Sequence, residues 1–237
     1  MVPLILCIIF ICLGVISLSL FLIEKTKRYS VKAVILKTIT SLFFIATCAV
    51  GLYEHHEHIL PLFVILGLVC GLLGDISLDL KYIYREHDRP YTYAGFIMFG
   101  IGHILYIAGM LSEHYHGENP LYIIIPIIVG AVVSFITILL EKVMKLRYGE
   151  MKIISLIYGI VIFSMLGTAL SLCILNQFKD TTLIMFFAGA VLFVISDLIL
   201  SGTFFGQGKE RPIDIISNGI TYYMAQYVIA FSMFFII

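Results

Sequence analysis

Apolar residues fill long stretches of the 237-residue chain, and the polar residues between them come in short clusters. A run of about 20 apolar residues is what a helix needs to cross a hydrocarbon layer. The pattern predicts eight such helices, over about 2–23, 34–53, 59–79, 92–111, 120–140, 152–174, 181–201 and 213–236. The alternating segments of roughly ten residues that build a membrane β-barrel are absent. Connections are short, so consecutive helices should be antiparallel neighbours. No stretch remains for a soluble domain. The expected fold is therefore all-α: one integral membrane domain over residues 1–237, a polytopic bundle of eight transmembrane helices.

The informative positions are polar residues inside the apolar runs. In the third run, Gly67, Gly71, Asp75 and Asp79 recur every fourth residue, which is one helix face. Small residues on such a stripe let a neighbouring helix come close, so both acids should point into the bundle. A further acid, Asp197, lies in Val194-Ile195-Ser196-Asp197-Leu198-Ile199-Leu200. A carboxylate at mid-membrane costs about 2.5–3.5 kcal/mol on insertion scales, and such residues are functional by default. The plainer alternative is that they tie helices together. Two carboxylates in one poorly hydrated cavity should not both be ionised, which supplies a general acid and a general base at the same pH. Asp75 and Asp197 are the candidate catalytic pair. Asp79, nearer the helix end, suits a structural or headgroup role as well as catalysis.

Other polar stripes could orient these acids, a water or a headgroup. His103 and Tyr106 are spaced i, i+3 in the fourth helix. Asn218, Tyr222 and Gln226 run i, i+4, i+8 in the eighth. Hydrogen bonding between helices accounts for the same residues. Lys37 heads the second helix, where it either meets a phosphate as a point charge or snorkels to the interface.

Composition supports the membrane reading. Hydrophobic residues make up 61% of the chain and charged residues 13%, against about 25% charged in soluble domains. Mean hydropathy is +1.07. Formal net charge is zero, with no basic surface interleaved with aromatics, so a nucleic-acid partner is not expected. The basic residues are unevenly placed. The connections after the first, third, fifth and seventh helices, with their flanks, hold 14 of the 15 lysines and arginines, leaving Lys179 on the other side. The basic side should be cytoplasmic and both termini non-cytoplasmic. Such loops fit a bacterial cytoplasmic membrane and an endoplasmic reticulum membrane equally. The start of the chain has no basic segment before its apolar run, so it reads as a retained first helix.

The five cysteines lie inside apolar runs with no CxxC pair and read as small buried residues. Histidines cluster in two outer loops, Glu54-His55-His56-Glu57-His58 and Glu113-His114-Tyr115-His116. Their spacing matches no defined zinc site, and solvated loop histidines are the expectation. Only His103 lies within a span, so no catalytic metal and no cofactor is expected. There is no GxSxG elbow.

The two halves echo each other. Gly74-Asp75 is followed 28 residues later by His103, and Ser196-Asp197 is followed 29 residues after the acid by Gln226. Lys37-Thr-Ile-Thr-Ser-Leu42 also echoes Lys152-Ile-Ile-Ser-Leu156. Four helices per half would make a parallel 4+4 repeat, with the site between halves and the two acids at similar depth.

Leu72-Leu73-Gly74-Asp75-Ile76-Ser77-Leu78, Gly102-His103-Ile104-Leu105-Tyr106, Phe193-Val194-Ile195-Ser196-Asp197-Leu198 and Ala225-Gln226 resemble the YhhN-type lysoplasmalogenases, over nearly the whole chain. Lys37 falls where that family has a lysine, although Thr38 stands where proline is frequent. The resemblance implies eight helices and hydrolysis of the vinyl ether of lysoplasmalogens to a fatty aldehyde and glycerophospho-ethanolamine or glycerophospho-choline. It implies Asp75 and Asp197 as leading catalytic residues and a lysophospholipid substrate drawn from the bilayer. Lys37 or Lys81 would then meet the phosphate. The rival reading from a different class is a proton-coupled small-solute transporter or channel using the same acids.

Overall fold

The computed structural model describes residues 2–27, 30–206 and 211–236. Arg28 and Lys209, two of the basic residues counted above, lie outside them. The described residues form eight long helices: α1 (Val2–Lys27), α2 (Val31–Glu54), α3 (Leu60–Ile83), α4 (Asp88–His114), α5 (Leu121–Leu139), α6 (Lys152–Leu175), α7 (Thr181–Phe205) and α8 (Pro212–Ser232). Among the described residues there is no strand, only an isolated bridge between Leu146 and Gly206.

Local chemistry sets where the helices begin. Ser30 caps α2 by accepting from the Ala33 N–H, and Asp180 caps α7 by accepting from Leu183. α3 and α8 open with proline in their first turns, where the missing N–H has no helical partner to lose. Most helices run past the apolar cores that predicted them, because a membrane helix keeps its backbone bonds into the interface.

Seven of the eight, α1 to α7, are long and apolar enough to cross a membrane, as in a multi-pass membrane protein. α8 is the exception. Its 21 residues carry Asp214, Asn218 and Gln226, and its inward residues Tyr222, Tyr223, Ala225, Gln226 and Ile229 are buried. Its polarity belongs to its place inside the bundle.

Consecutive helices pack as hairpins, α1 on α2, α3 on α4, α5 on α6 and α7 on α8. α3, α4, α6, α7 and α8 then close a ring, each packing on the next, with α8 returning to α3. α1 and α2 flank α8, and α5 leans outward on α6. The outer face of α5, with Ile124, Ile128, Val132 and Phe135, is exposed and purely apolar, as a lipid-facing surface must be.

The glycine stripe on α3 has a defined use. A Cβ on Gly67 would sit 2.3 Å from the Tyr106 ring and 3.0 Å from the Gly102 carbonyl oxygen, and one on Gly71 would sit 2.9 Å from Gln226 Nε2. The stripe admits the two polar side chains that approach the third helix just before Asp75.

Candidate functional site

One cavity of about 170 Å³ lies among the ring helices, toward the end of the bundle that carries the α1–α2, α5–α6 and α7–α8 connections. Asp75 and Asp79 of α3, Asp197 of α7 and Tyr222 of α8 line it, with Lys25 and Lys37 from the flanking helices. Most of the remaining wall is apolar, including Phe96, Phe99, Ile162 and Val194. Asp75 and Asp197 thus share a cavity, each contributed by a different half of the chain.

Their surroundings differ. Asp75 is 2% exposed. Its Oδ2 accepts from Ser41 Oγ and from Tyr222 Oη, both at 2.8 Å, and Lys37 Nζ lies 3.1 Å from its Oδ1. Lys37 also stands 3.6 Å from Asp79 Oδ1, which takes Lys25 Nζ at 2.6 Å. Lys25, Asp79, Lys37 and Asp75 therefore form an alternating buried chain of two ammoniums and two carboxylates. Lys37 turns inward to the acids, with 15% of its side chain exposed. Asp197 is half-buried and accepts a hydrogen bond on Oδ2 from Tyr158 Oη. No ion pair reaches it among the described residues.

Two hydrogen-bond chains start on α4 and end on the two acids. Tyr106 Oη donates to Gln226 Oε1 at 3.1 Å, Gln226 Nε2 donates to Tyr222 Oη at 3.1 Å, and Tyr222 donates to Asp75. Three residues before Tyr106, His103 pairs through Nε2 with Tyr158 Oη at 3.1 Å, and Tyr158 donates to Asp197. The acid of each half is thus reached by a polar residue of the other: Asp75 by Tyr222, Asp197 through Tyr158 by His103.

The expected stripe on α8 divides. Tyr222 and Gln226 serve Asp75, but Asn218 donates through Nδ2 to the Ser196 carbonyl and hydroxyl, both at 2.9 Å. Asn218 fastens α8 to α7 beside Asp197 and does not bond the acid. Lys81 turns its ammonium onto the Phe204 ring, 3.2 Å from the centroid.

Sequence reasoning missed Tyr158, Tyr223 and Lys25. Tyr223 exchanges a 3.1 Å hydrogen bond with Ser41, beside Asp75. A tyrosine in an apolar helix carries little signal, and Lys25 reads as an interfacial cation.

Of the outer histidines, His56 and His116 are exposed, while His58 and His114 are tied down. Glu113 takes His58 Nδ1 at 2.6 Å on one oxygen and the N–H groups of Ile59 and Leu60 at 2.9 and 3.2 Å on the other, so it caps α3. His114 Nδ1 lies 3.3 Å from Asp180. Among the described residues no three His, Cys, Asp or Glu side chains group as metal ligands.

The YhhN family model matches residues 32–233, which takes in Asp75, Asp79, Asp197 and both hydrogen-bond chains and leaves α1 outside. The chain belongs to the YhhN family. That family has lysoplasmalogenase members. No curated protein and no solved structure matches the chain. Lys25, which completes the ion chain at Asp79, precedes the stretch matched to the YhhN family.

Proposed function

We propose that the protein is a membrane-embedded lysoplasmalogenase. It would hydrolyse the vinyl ether of an alkenyl-glycerophospho-ethanolamine or -choline to a fatty aldehyde and the corresponding glycerophospho-alcohol. The observation that carries this reading is one apolar-walled cavity in which two of the three lining aspartates, Asp75 and Asp197, have unlike partners. Membership of the YhhN family supports it.

The unlike partners of the two acids support a division of labour. Asp75 has an ammonium and two hydroxyls for its charge and takes the role of ionised carboxylate. Asp197 has one hydroxyl and takes the role of acid. The Asp197 proton passes to the vinyl carbon distal to oxygen. The π pair forms the new C–H bond, leaving an oxocarbenium ion that the Asp75 carboxylate stabilises. Water adds to the cation and gives a proton to Asp75. The hemiacetal then collapses: its hydroxyl proton returns to Asp197, the carbon–glycerol oxygen bond breaks, and Asp75 protonates the departing oxygen. One water is consumed and both acids are restored.

At about 170 Å³ the cavity is smaller than the roughly 300 Å³ and upward of common ligand pockets. It suits the vinyl ether and adjoining glycerol carbons. The alkenyl chain is left to the apolar helix surfaces and the bilayer.

The test is bond specificity. Purified protein in detergent receives lysoplasmenyl-ethanolamine, the matching acyl-ester lysolipid and the matching alkyl ether. Aldehyde from the first alone is expected. Release of fatty acid from the ester, or no product from any of the three, would refute the reading, and a silent protein that carried protons or solutes in liposomes would point to transport.

A further inference from the structure

Tyr158 is the sole described residue that hydrogen-bonds the Asp197 carboxyl, and it is held from two sides. The Phe96 ring meets it edge-on, with centroids 5.3 Å apart and planes at 77°. His103 approaches its hydroxyl at 3.1 Å. His103 is itself fixed, 1% exposed, against the edge of Phe193 at 4.6 Å and 83°. Phe193 precedes Asp197 by four residues, so one face of α7 presents both the acid and the ring that orients the imidazole.

The direction of this chain follows from where the Tyr158 proton points. A tyrosine hydroxyl has one proton. With that proton directed at Asp197 Oδ2, Tyr158 accepts from His103, which then carries its hydrogen on Nε2. His103 Nδ1, buried with no hydrogen-bond partner among the described residues, is then a bare acceptor.

We propose, resting on the reading above, that Tyr158 is a positioning residue that decides which oxygen of Asp197 carries the reacting proton, and that His103 sets the direction of the Tyr158 hydroxyl. With Oδ2 occupied as an acceptor, the proton resides on Oδ1. When that proton leaves for the vinyl carbon, the O–H pair stays on Asp197. The negative charge appears on a carboxylate already receiving the Tyr158 hydroxyl, so no group need reorient during transfer. Tyr158 keeps its own proton throughout and is not itself an acid in the reaction.

The experiment has a kinetic and a spectroscopic arm on the full-length protein. Tyr158→Phe keeps the ring against Phe96 and deletes only the hydroxyl. It should lower kcat by about 100-fold, as loss of one preorganised donor does, with KM within twofold. His103→Leu should also lower kcat, and His103→Gln, which keeps an N–H toward the tyrosine, should restore most of it. A Tyr158 that merely packs would leave kcat unchanged in Tyr158→Phe, or move KM with it, and either result overturns the proposal. Infrared difference spectra read the same contact without turnover. The Asp197 carboxyl band, identified by its loss in Asp197→Asn, should shift in Tyr158→Phe. An unshifted band overturns the proposal. A wild type that releases no aldehyde discards the substrate while the band shift still decides whether Tyr158 holds Asp197.

Discussion

Lys37 and Asp75 form a buried ion pair at 3.1 Å, at the point where the second helix, the third and the eighth meet. Removing one partner strands the other in a poorly hydrated site. Lys37→Met should destabilise the protein by about 3–5 kcal/mol, the usual cost of breaking a buried pair from one side. The double change Lys37→Met with Asp75→Asn should recover much of that loss, because neither charge then remains. Thermal unfolding of the two single variants and the double variant in detergent measures the cycle, and equal losses in all three would contradict the pairing.

Gly67→Ala and Gly71→Ala should differ in kind. At Gly67 the new methyl meets the Tyr106 ring at 2.3 Å and backbone at 3.0 Å, so the α3–α4 contact must open, at about 1–3 kcal/mol. At Gly71 it meets the end of the Gln226 side chain at 2.9 Å, which can swing aside. Gly71→Ala should therefore fold nearly normally yet lose activity, since moving Gln226 breaks the chain from Tyr106 to Tyr222. Melting temperature and aldehyde release, taken together, separate the two.

Glu113 caps α3 at the opposite end of the bundle from the cavity. Glu113→Ala should cost about 1 kcal/mol, as other lost caps do. The rate of a folded sample should stay at the wild-type value. A fall in kcat with an intact melting curve would show that the outer end takes part in turnover.

The α5–α6 connection gives a pH dependence. Glu141 accepts from Lys152 at 2.7 Å and from the Tyr148 N–H at 3.0 Å, and these two contacts hold its carboxyl below the usual glutamate range. A depressed carboxyl contributes stability that is present above its unfolded value and lost as the pH falls through its folded one. Amide protection of Leu146 to Tyr148, where Arg147 N–H also bonds the Phe205 carbonyl, should thus weaken below about pH 4.5, the unperturbed glutamate value, and Glu141→Gln should weaken it at neutral pH. Protection that does not change across that range would contradict the role given to Glu141.

The helices were legible because each apolar run has its own length, and the acids were legible because a carboxylate inside such a run has no bland neighbour to hide among. α8 shows where that rule weakens: a helix enclosed by others can carry Asn218 and Gln226 and so fall below the apolarity of a lipid-facing span. Tyr158 was silent for the opposite reason, since a tyrosine is amphipathic and sits in apolar helices with or without a task. The i, i+3 spacing of His103 and Tyr106 predicted a shared face, but not that the two residues would begin separate hydrogen-bond chains to different acids. Lys37 read equally well as a snorkelling cation, and only the fold, by bringing Asp75 and Asp79 to it, decides its direction.

The central claim is that Asp75 and Asp197 act together on a vinyl ether. The most direct measurement is aldehyde release from lysoplasmenyl-ethanolamine by the wild type, Asp75→Asn and Asp197→Asn, with chelator present and folding checked for each. The account predicts that each variant loses activity by about 10²–10⁴-fold, the range for a positioned acid or base, while the wild type is indifferent to chelator. A folded Asp75→Asn or Asp197→Asn that still releases aldehyde at the wild-type rate would contradict it.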